Sequence, residues 1–534
     1  MRPEMSWKRS ILIFIPYDII STILLSSADN IAGLCGESTG AKDLQPVANL
    51  RFNRDPGSPT AVGLARAWLK TCVDDHESCR SHTQGYRPRR LIKSLSYAAL
   101  SNITGDGAGL KLRSHPIVGL YEPVNVDALP RVIIDGIRVT YDLGLEYIWV
   151  STLCIVRDDV ADKRRHISEL HQIYLGATIT IVADRCENDD QGFLGLRSLP
   201  YDEKTTTCFK INYEAAGGIS GQLILVPEPS PQLSLRGPGA GSAWTYVESL
   251  ISRRILSLID FSDGFVNDKD MHPFRDYNPA WNSIISPFST LEMPDPSQRL
   301  DLLSVIARYY SMIKNTTKDE YFAGIWKSTL PQSLLWSRED HIEPKRYPGP
   351  LIAPSWSWVA PNCGISRPEY RPHLDDLFAV VDLYIQPTHE DLPWGSMKST
   401  ELTLRGSATG AWWSHDGSSF TSLSNIISLQ DFNCSNDEAL PYIRFKSDYT
   451  PPEFIKGDSA YVEEGVKIAL ILLLVSVEKP IQRSLSGLGL REVEGGKYRR
   501  VGRFDIYVDS DVPTAFADTL IHFLGDGVRQ FTII

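Results

Sequence analysis

The feature that most constrains the fold of this chain is an alternation of helix and strand patterns between Leu129 and Ala183. Pro130 is typical of a first helical turn, and Ile133, Ile137 and Tyr141 follow at helical spacing. The short aromatic and β-branched run EYIWV that comes next is typical of a strand. The pattern then repeats, which predicts two successive helix–strand units and therefore a layered α/β domain with a parallel sheet.

Glycines mark the expected ends of both helices. Gly144 is placed to end the first helix and Gly176 to end the second. The second helix is expected to bury Ile167, Leu170 and Tyr174 on one face, and the run ATITIVA after it is typical of a strand buried on both sides. Because open parallel sheets bind ligands at the carboxyl ends of their strands, a ligand site is expected there.

Several motifs of this chain occur in the order seen in one fungal family. Residues of the alternating stretch fit a pattern that reads LP-x-x-x-x-D-A-I-x-V-T-x-x-L-G-x-x-Y-L-W-I-D-x-L-C-I-x-Q-D-D. The segments that follow are WTYVE (Trp244 to Glu248), YFAGIW, LLW, APSWSWVA and GLGLREVEGGKYRRVGRF. Together they resemble the heterokaryon incompatibility (HET) domain of filamentous fungi. The resemblance implies a non-self recognition protein whose activation triggers cell death.

The chain departs from the family pattern at several positions. Tyr97–Gly105 reads YAALSNITG and lacks the tryptophan of the family's first motif. Ser151 stands where the family has an aspartate, and Arg157 and Val247 stand where it has glutamines. These departures indicate a divergent or degenerate member of the family.

The resemblance also supplies a catalytic candidate. Remote similarity links the HET family to TIR domains, some of which cleave NAD with a helix glutamate, and Trp244 to Glu248 has the Trp-to-Glu spacing of that motif. A carboxylate beside the ribose can stabilise an oxocarbenium-like transition state. The resemblance therefore makes Glu248 the catalytic candidate and NAD the candidate substrate. The alternative is a structural Glu248 that caps a helix or pairs with Arg253 or Arg254.

The other candidates for a ligand pocket follow the EYIWV strand or accompany Glu248. They are Ser151, Cys154, Asp158, Asp159 and Trp244. A nucleophilic Cys154 would need His166 or His171 as its base, and the surrounding sequence favours a buried cysteine instead. For the acidic pair the alternative is the start of the next helix, where the helix dipole favours negative charge.

Four further residues have the chemistry of zinc ligands. Cys72, His76, Cys79 and His82 share one face of a predicted helix, and thiolate and imidazole groups bind zinc. The spacing is not that of a standard zinc finger, and four ligands on one helix do not easily close a tetrahedron. The sequence therefore predicts core packing and no metal.

The length of 534 residues predicts more than one domain. We expect an N-terminal region with an apolar segment and the Cys/His helix over 1–87, and the HET-like α/β domain over 88–260. A mixed helical and proline-rich region over 261–370 ends in APSWSWVA, and a β-rich domain covers 371–534. The tryptophans of APSWSWVA are expected to pack between domains.

Charge and cysteine content limit the expected partners. The formal net charge of −11 argues against nucleic acid, and sparse, irregular cysteines fit a reduced cytoplasmic environment. An N-terminal apolar run is interrupted by Pro16 and Asp18, so a packed element is favoured over a secretory or membrane signal. The apolar run Ile468–Val477 is expected to be a buried strand.

Protein partners or self-association are expected, and the competing functions are an NAD-cleaving enzyme, a non-catalytic self-associating module and an inactive paralogue.

Overall fold

The structure is a computed structural model of the chain. It describes residues 31–38, 55–75, 86, 88, 90, 96–102, 126, 129–156, 158–183, 185–196, 209–215, 219–227, 241–257, 281–291, 293, 295–339, 352–366, 378–414, 426–429, 442–448, 467–477, 484–507 and 527–534. The chain divides into two compact units, Met1–Tyr277 and Asn278–Ile534, called here the first and second units. The finer division into four domains stays a prediction.

The first unit contains a parallel sheet and an antiparallel one. Its α-helices are α1 Pro59–Asp75, α2 Arg131–Asp142, α3 Ser151–Cys154, α4 Val160–Gly176 and α5 Ala243–Ile251. Its strands are β1 Ile31–Ser38, β2 Ala98–Ser101, β3 Ile148–Val150, β4 Ile179–Val182, β5 Phe209–Ala215, β6 Ile219–Pro227 and β7 Ile255–Ser257. The parallel sheet has the order β3-β2-β4-β7, and the antiparallel sheet has the order β1-β6-β5.

Helices cover both faces of the parallel sheet. On one face, Leu100 of β2 belongs to a hydrophobic core with Val132 of α2 and Ala65 of α1. On the other face, the Tyr97 hydroxyl donates to the Ile173 carbonyl of α4 at 2.6 Å. Because successive residues of a strand point to opposite faces, Ser101 lies on the same face as Tyr97. The predicted α/β fold with a parallel sheet is confirmed.

The limits of α2 agree with the sequence prediction, and its packing decides which of its residues are buried. The helix begins directly after Pro130 and is followed by Gly144, whose φ of 83° suits glycine. Tyr141, however, is 78% exposed, and the buried stripe includes Val132 and Val139. The helical spacing of Ile133, Ile137 and Tyr141 therefore identified the helix correctly, and Tyr141 lies at the exposed end of that row.

The central strand β2 lies in a segment to which the sequence analysis assigned no strand. Ala98–Ser101 pairs in parallel with β3 on one side and with β4 on the other. Its neighbour α2 approaches closely at Gly136, where a Cβ atom would stand 3.2 Å from the Leu100 side chain. Four residues, two of them alanine, carry too little periodicity to be recognised as a strand.

The second unit combines a small helical part with a large antiparallel sheet. Its α-helices are α6 Trp281–Thr290 and α7 Arg299–Lys314. Its short strands are β8 Tyr321–Phe322, β9 Ile325–Trp326, β10 Ser337–Arg338 and β11 Ile365–Ser366. Its sheet strands are β12 Phe378–Pro387, β13 Met397–Ser414, β14 Ile426–Leu429, β15 Tyr442–Ser447, β16 Lys467–Val477, β17 Ser484–Val493, β18 Lys497–Tyr507 and β19 Val528–Ile533. Ile468–Val477 falls within the interior strand β16, so the predicted β-rich region and its buried strand are confirmed.

The APSWSWVA segment connects the helical part of the second unit with its sheet. Trp358 is buried and donates from Nε1 to the Gly324 carbonyl at 2.9 Å. Ser355 donates from Oγ to the Ile534 carbonyl and accepts from the Arg500 N–H at 3.1 Å. The tryptophans of this segment are therefore structural within the second unit.

In the part of the chain that the structure describes, no helix is long and apolar enough to cross a membrane. The apolar N-terminal run, residues 11–28, lies outside the described residues.

Candidate functional site at the carboxyl edge of the parallel sheet

The order of the parallel strands defines where a ligand crevice is expected. The first of these strands along the chain, β2, lies between the second, β3, and the third, β4. In open α/β sheets of this order, the connections from neighbouring strands diverge between the first and third strands, and ligands bind at their carboxyl ends. The carboxyl ends of β2 and β4 therefore flank the candidate site.

A buried carboxylate lies at the carboxyl end of β2. Ser101 is the last residue of this strand, and its Oγ donates to Glu248 Oε2 at 2.6 Å. Glu248 lies on α5, which contacts both β2 and β4. Glu248 is 7% exposed. The predicted catalytic residue thus stands at the strand end where ligand binding is expected.

The hydroxyl of Tyr174 completes this cluster from α4. It donates to the Leu100 carbonyl at 3.3 Å, and it lies close enough to Glu248 for the two groups to interact electrostatically. Burial raises the pKa of Tyr174 well above its ordinary value, and the adjacent negative charge of Glu248 raises it further. Tyr174 therefore stays a neutral hydroxyl donor. We call Ser101, Tyr174 and Glu248 the carboxyl-edge cluster.

The alternative to catalysis is a structural role for Glu248, either as a helix cap or as a partner of Arg253 or Arg254. Glu248 lies within α5 and not at its end, so it is not a helix cap. Arg254 donates from Nε to Cys72 Sγ and from Nη1 to the Thr178 carbonyl, each at 3.2 Å. The pairing of Glu248 with Arg253 or Arg254 stays an alternative, as does a buried hydrogen-bond network that fastens α5 to β2, and a catalytic role for Glu248 stays a prediction.

A second polar pair lies at the same strand end, toward α2. The Asn102 side chain donates from Nδ2 to Asp189 Oδ1 at 2.9 Å, and the Val132 N–H donates to the Asp189 carbonyl at 3.2 Å. This pair ties the loop after β4 to the end of β2. Sequence reasoning missed Ser101, Asn102, Tyr174 and Asp189. The polar pair Ser101-Asn102 directly after an apolar run was the signal that would have indicated the first two.

The environment of Cys154 opposes its use as a nucleophile. Cys154 ends the short helix α3, and its burial raises the thiol pKa to about 11, although a backbone hydrogen bond from Val150 and the charge of Arg90 lower it. A thiol with this pKa holds its proton at neutral pH, whereas the thiolate is the nucleophile. Ser151 begins the same helix and is half-buried.

His166 belongs to an ionic cluster that orders the loop after α3. Arg90 donates to both carboxylate oxygens of Asp162 at 3.1 Å and to the Cys154 carbonyl. His166 Nδ1 lies 2.8 Å from the Asp162 carbonyl, and its Nε2 lies 3.3 Å from Arg90 Nη1. Burial raises the pKa of Asp162, but hydrogen bonds from Arg90 and from the Val156 N–H outweigh that effect and lower it. Both ring nitrogens of His166 therefore have partners within this cluster. His171 is buried on the same helix.

The remaining pocket candidates lie at helix ends. Asp159 caps α4 by accepting from the N–H groups of Ala161 at 2.8 Å and of Asp162 at 3.1 Å, and Asp158 precedes it on the exposed side. This is the helix-start role that the sequence offered as an alternative. Trp244 is half-buried in the first turn of α5.

Of the four candidate zinc ligands, the structure describes only Cys72. Cys72 lies on α1, and its Sγ accepts from Arg254 Nε at 3.2 Å. His76, Cys79 and His82 lie outside the described residues. Within the described ranges, no group of three or more His, Cys, Asp or Glu side chains could hold a metal ion.

The family of this domain follows from a match to a family model. Residues 97–247 match the model described as Heterokaryon incompatibility protein (HET). The chain contains a HET domain. The matched range begins just before β2 and ends at Val247, so this HET domain includes the parallel strands β2, β3 and β4 and most of α5. No curated protein and no solved structure matches the chain significantly.

Proposed function

We propose that this HET-domain protein is a cytoplasmic effector of the fungal non-self response, in which it triggers cell death by cleaving NAD between nicotinamide and ribose. The observation that carries the proposal is the 2.6 Å hydrogen bond from Ser101 Oγ to Glu248 Oε2 at the carboxyl end of β2. It places a carboxylate beside the strand end where nucleotides bind in sheets of this order. A parallel sheet covered by helices on both faces, with the glutamate on a later helix, supports the TIR-like interpretation of the domain.

The chemistry assigned to Glu248 is electrostatic. As the bond between nicotinamide and ribose breaks, its electron pair leaves with nicotinamide, which becomes neutral, and positive charge develops on the ribose. A carboxylate that holds the ribose hydroxyl groups stabilises that charge. Water then adds to the ribose carbon and loses a proton, which gives ADP-ribose. Ser101 fixes the carboxylate through its hydrogen bond and is a positioning residue in this scheme, and the Tyr174 hydroxyl is a neutral neighbour of the carboxylate.

Nicotinamide release tests this proposal directly. The full chain is incubated with NAD, and Glu248→Gln is expected to lower the rate of release by about 100-fold or more, because loss of one preorganised charge-stabilising group has effects of this size. Glu146→Gln is the matched control, since Glu146 is exposed and precedes β3 at the opposite edge of the sheet. Absence of cleavage by the unaltered chain, including at concentrations that enforce self-association, would contradict the proposal.

A second candidate function is a non-catalytic module that signals by self-association. The burial of Glu248 at 7% exposure favours it, as does the presence of Ser151, Arg157 and Val247 in place of the family's acidic and amide residues. This candidate predicts that toxicity on overexpression survives Glu248→Gln, with a second copy of the chain as the partner. An inactive paralogue predicts no toxicity from either form.

A further inference from the structure

The first turn of α5 contains a buried hydroxyl group without a partner. Thr245 is 5% exposed, and its Oγ1 has no hydrogen-bond partner among the residues that the structure describes. Native proteins pair nearly all of their buried polar atoms, because desolvation without a compensating hydrogen bond destabilises the fold. The Thr245 hydroxyl is therefore available to donate a hydrogen bond to a group that binds at the start of α5.

The position of Thr245 relative to Glu248 shows where this hydroxyl is directed. Residues three apart lie on the same face of a helix, and side chains lean toward the helix N-terminus. The Ser101–Glu248 hydrogen bond fixes this face of α5 at the carboxyl end of β2. Ser252, which follows α5, pairs with Thr180 near the start of β4, so Thr245, three residues nearer to the helix start than Glu248, lies farther toward the carboxyl edge of the sheet.

The start of α5 has the features of an anion site. The first N–H groups of a helix have no acceptor within the helix, and the helix dipole favours negative charge there. The N-cap residue Ser242 makes no side-chain capping hydrogen bond, whereas Asp159 caps α4 with two. Gly241, just before it, is exposed, and no heavy atom lies within 4 Å of the position that a Cβ atom would take. Phosphate groups bind at helix starts of this kind.

We infer that the first turn of α5 is a phosphate subsite, in which Thr245 Oγ1 and the N–H groups of the turn bind the diphosphate of a dinucleotide. This inference rests on the proposed function, because it adds the phosphates to the ribose assigned to Glu248. The two residues are separated by a rise of about 4.5 Å along the helix, so a substrate can place its ribose at Glu248 and its diphosphate at Thr245. Glu248 confers the chemistry and Thr245 confers selectivity for phosphorylated nucleosides.

Binding measurements on the full chain test the subsite without catalysis. Isothermal titration with inorganic pyrophosphate and with ADP-ribose is expected to show binding of both, and Thr245→Val is expected to weaken both about tenfold or more. Thr245→Ser, which keeps the hydroxyl, is expected to retain affinity. Because the Thr245 hydroxyl has no partner in the fold, Thr245→Val is also expected to leave the melting temperature unchanged or raised.

The same substitution in α2 provides the matched control. Thr140 is equally buried, but its Oγ1 donates to the Gly136 carbonyl at 2.7 Å. Thr140→Val is therefore expected to lower the melting temperature and to leave pyrophosphate binding unchanged. A Thr245→Val variant that loses stability as Thr140→Val does, with unchanged affinity for both ligands, would overturn the subsite.

The subsite and the proposed reaction fail in different ways. Pyrophosphate binding that depends on Thr245, in a chain that releases no nicotinamide, would uphold the subsite and reject the reaction. Nicotinamide release that depends on Glu248, with the affinity for ADP-ribose unchanged by Thr245→Val, would uphold the reaction and overturn the subsite.

Discussion

Two buried networks, one in each unit, hold carboxylates in different ways. In the first unit, Glu248 is held by the hydroxyl group of Ser101 at the end of a strand and lies near the hydroxyl group of Tyr174. In the second unit, Asp448 is held by the guanidinium of Arg500, with Arg500 Nε 3.2 Å from Asp448 Oδ2. The first network surrounds a carboxylate with neutral donors at an expected ligand crevice. The second matches a carboxylate with an opposite charge.

The arginine network joins the LLW segment to the sheet of the second unit. Arg500 donates to the carbonyls of Leu334 at 2.8 Å and Trp336 at 2.6 Å, and its guanidinium lies 3.4 Å from the centre of the Trp336 ring. Arg503, also on β18, donates to the Leu335 carbonyl at 3.0 Å. Two motifs far apart in the sequence therefore meet in one structural contact. The comparison teaches that these two motifs of the second unit stabilise its fold, whereas the carboxyl edge of the first unit carries the residues of the proposed reaction.

The largest expected effect is the loss of stability caused by Arg500→Ala. Removing one partner of a buried ion pair leaves the other charge uncompensated, so the free energy of unfolding of the second unit should fall by about 3–5 kcal/mol. Arg405→Ala on β13 is the control, because Arg405 is exposed and its loss should change stability by about 0.5 kcal/mol or less. Chemical denaturation of both variants measures the difference. If Arg500→Ala and Arg405→Ala lowered the free energy of unfolding by equal, small amounts, the arginine network would have no special role in folding.

Two serines test the networks with the same substitution. Ser101 and Ser486 are both buried, and each donates to a carboxylate at 2.6 Å. Ser101→Ala should lower the free energy of unfolding by about 1–3 kcal/mol, since Glu248 loses a direct donor. Ser486→Ala should cost less, because Asp505 keeps its hydrogen bonds from Arg503 at 2.5 and 3.2 Å. A larger loss from Ser486→Ala would reverse this ranking.

The ionic network also predicts a pH dependence. Burial raises the pKa of Asp448 to about 6, although Arg500 and Arg338 lower it. The folded second unit then holds this proton more tightly than the unfolded chain does, so the contribution of Asp448 to stability is present below pH 4 and is lost as the pH rises to about 6. The free energy of unfolding between pH 4 and 7 should show this decline, and Asp448→Asn should not. A contribution that grows with pH over this window would contradict the raised pKa.

The smallest effect is expected from the cap of α4. Asp159→Ala removes two capping hydrogen bonds and should lower the free energy of unfolding by about 1 kcal/mol. Nicotinamide release should stay unchanged, because this carboxylate is engaged with its own helix. Asp158→Ala is the neighbouring control, with a smaller expected loss of stability. If Asp159→Ala greatly lowered the rate of nicotinamide release, Asp159 would again be a candidate ligand-binding residue.

The sequence predicted the parts of this fold that have strong local periodicity. The helices around Ile133 and Leu170 and the strand over Ile468–Val477 were all recognisable, because their patterns are long or continuously apolar. The strand Ala98–Ser101 was not, since its place at the centre of the sheet is decided by pairing with strands far along the chain. The exposure of Tyr141 on α2 is likewise set by packing against the sheet.

The candidate site was predicted only in part for the same reason. Glu248 was indicated by the spacing of WTYVE, which is a local pattern. Its partner Ser101 is 147 residues away in sequence, and no local pattern joins the two. The role of Cys154 depended on burial, which the sequence favoured and the structure confirms.

The carboxyl-edge cluster is proposed to serve chemistry, whereas the arginine network serves folding. The most direct test measures nicotinamide release and the free energy of unfolding together for Glu248→Gln. The account predicts a loss of release of about 100-fold or more, with a change in stability of no more than about 1 kcal/mol, because an amide can keep the hydrogen bond from Ser101. Two results together would contradict it. The unaltered chain and Glu248→Gln would release nicotinamide at the same rate or not at all, and Glu248→Gln would lose as much stability as Arg500→Ala.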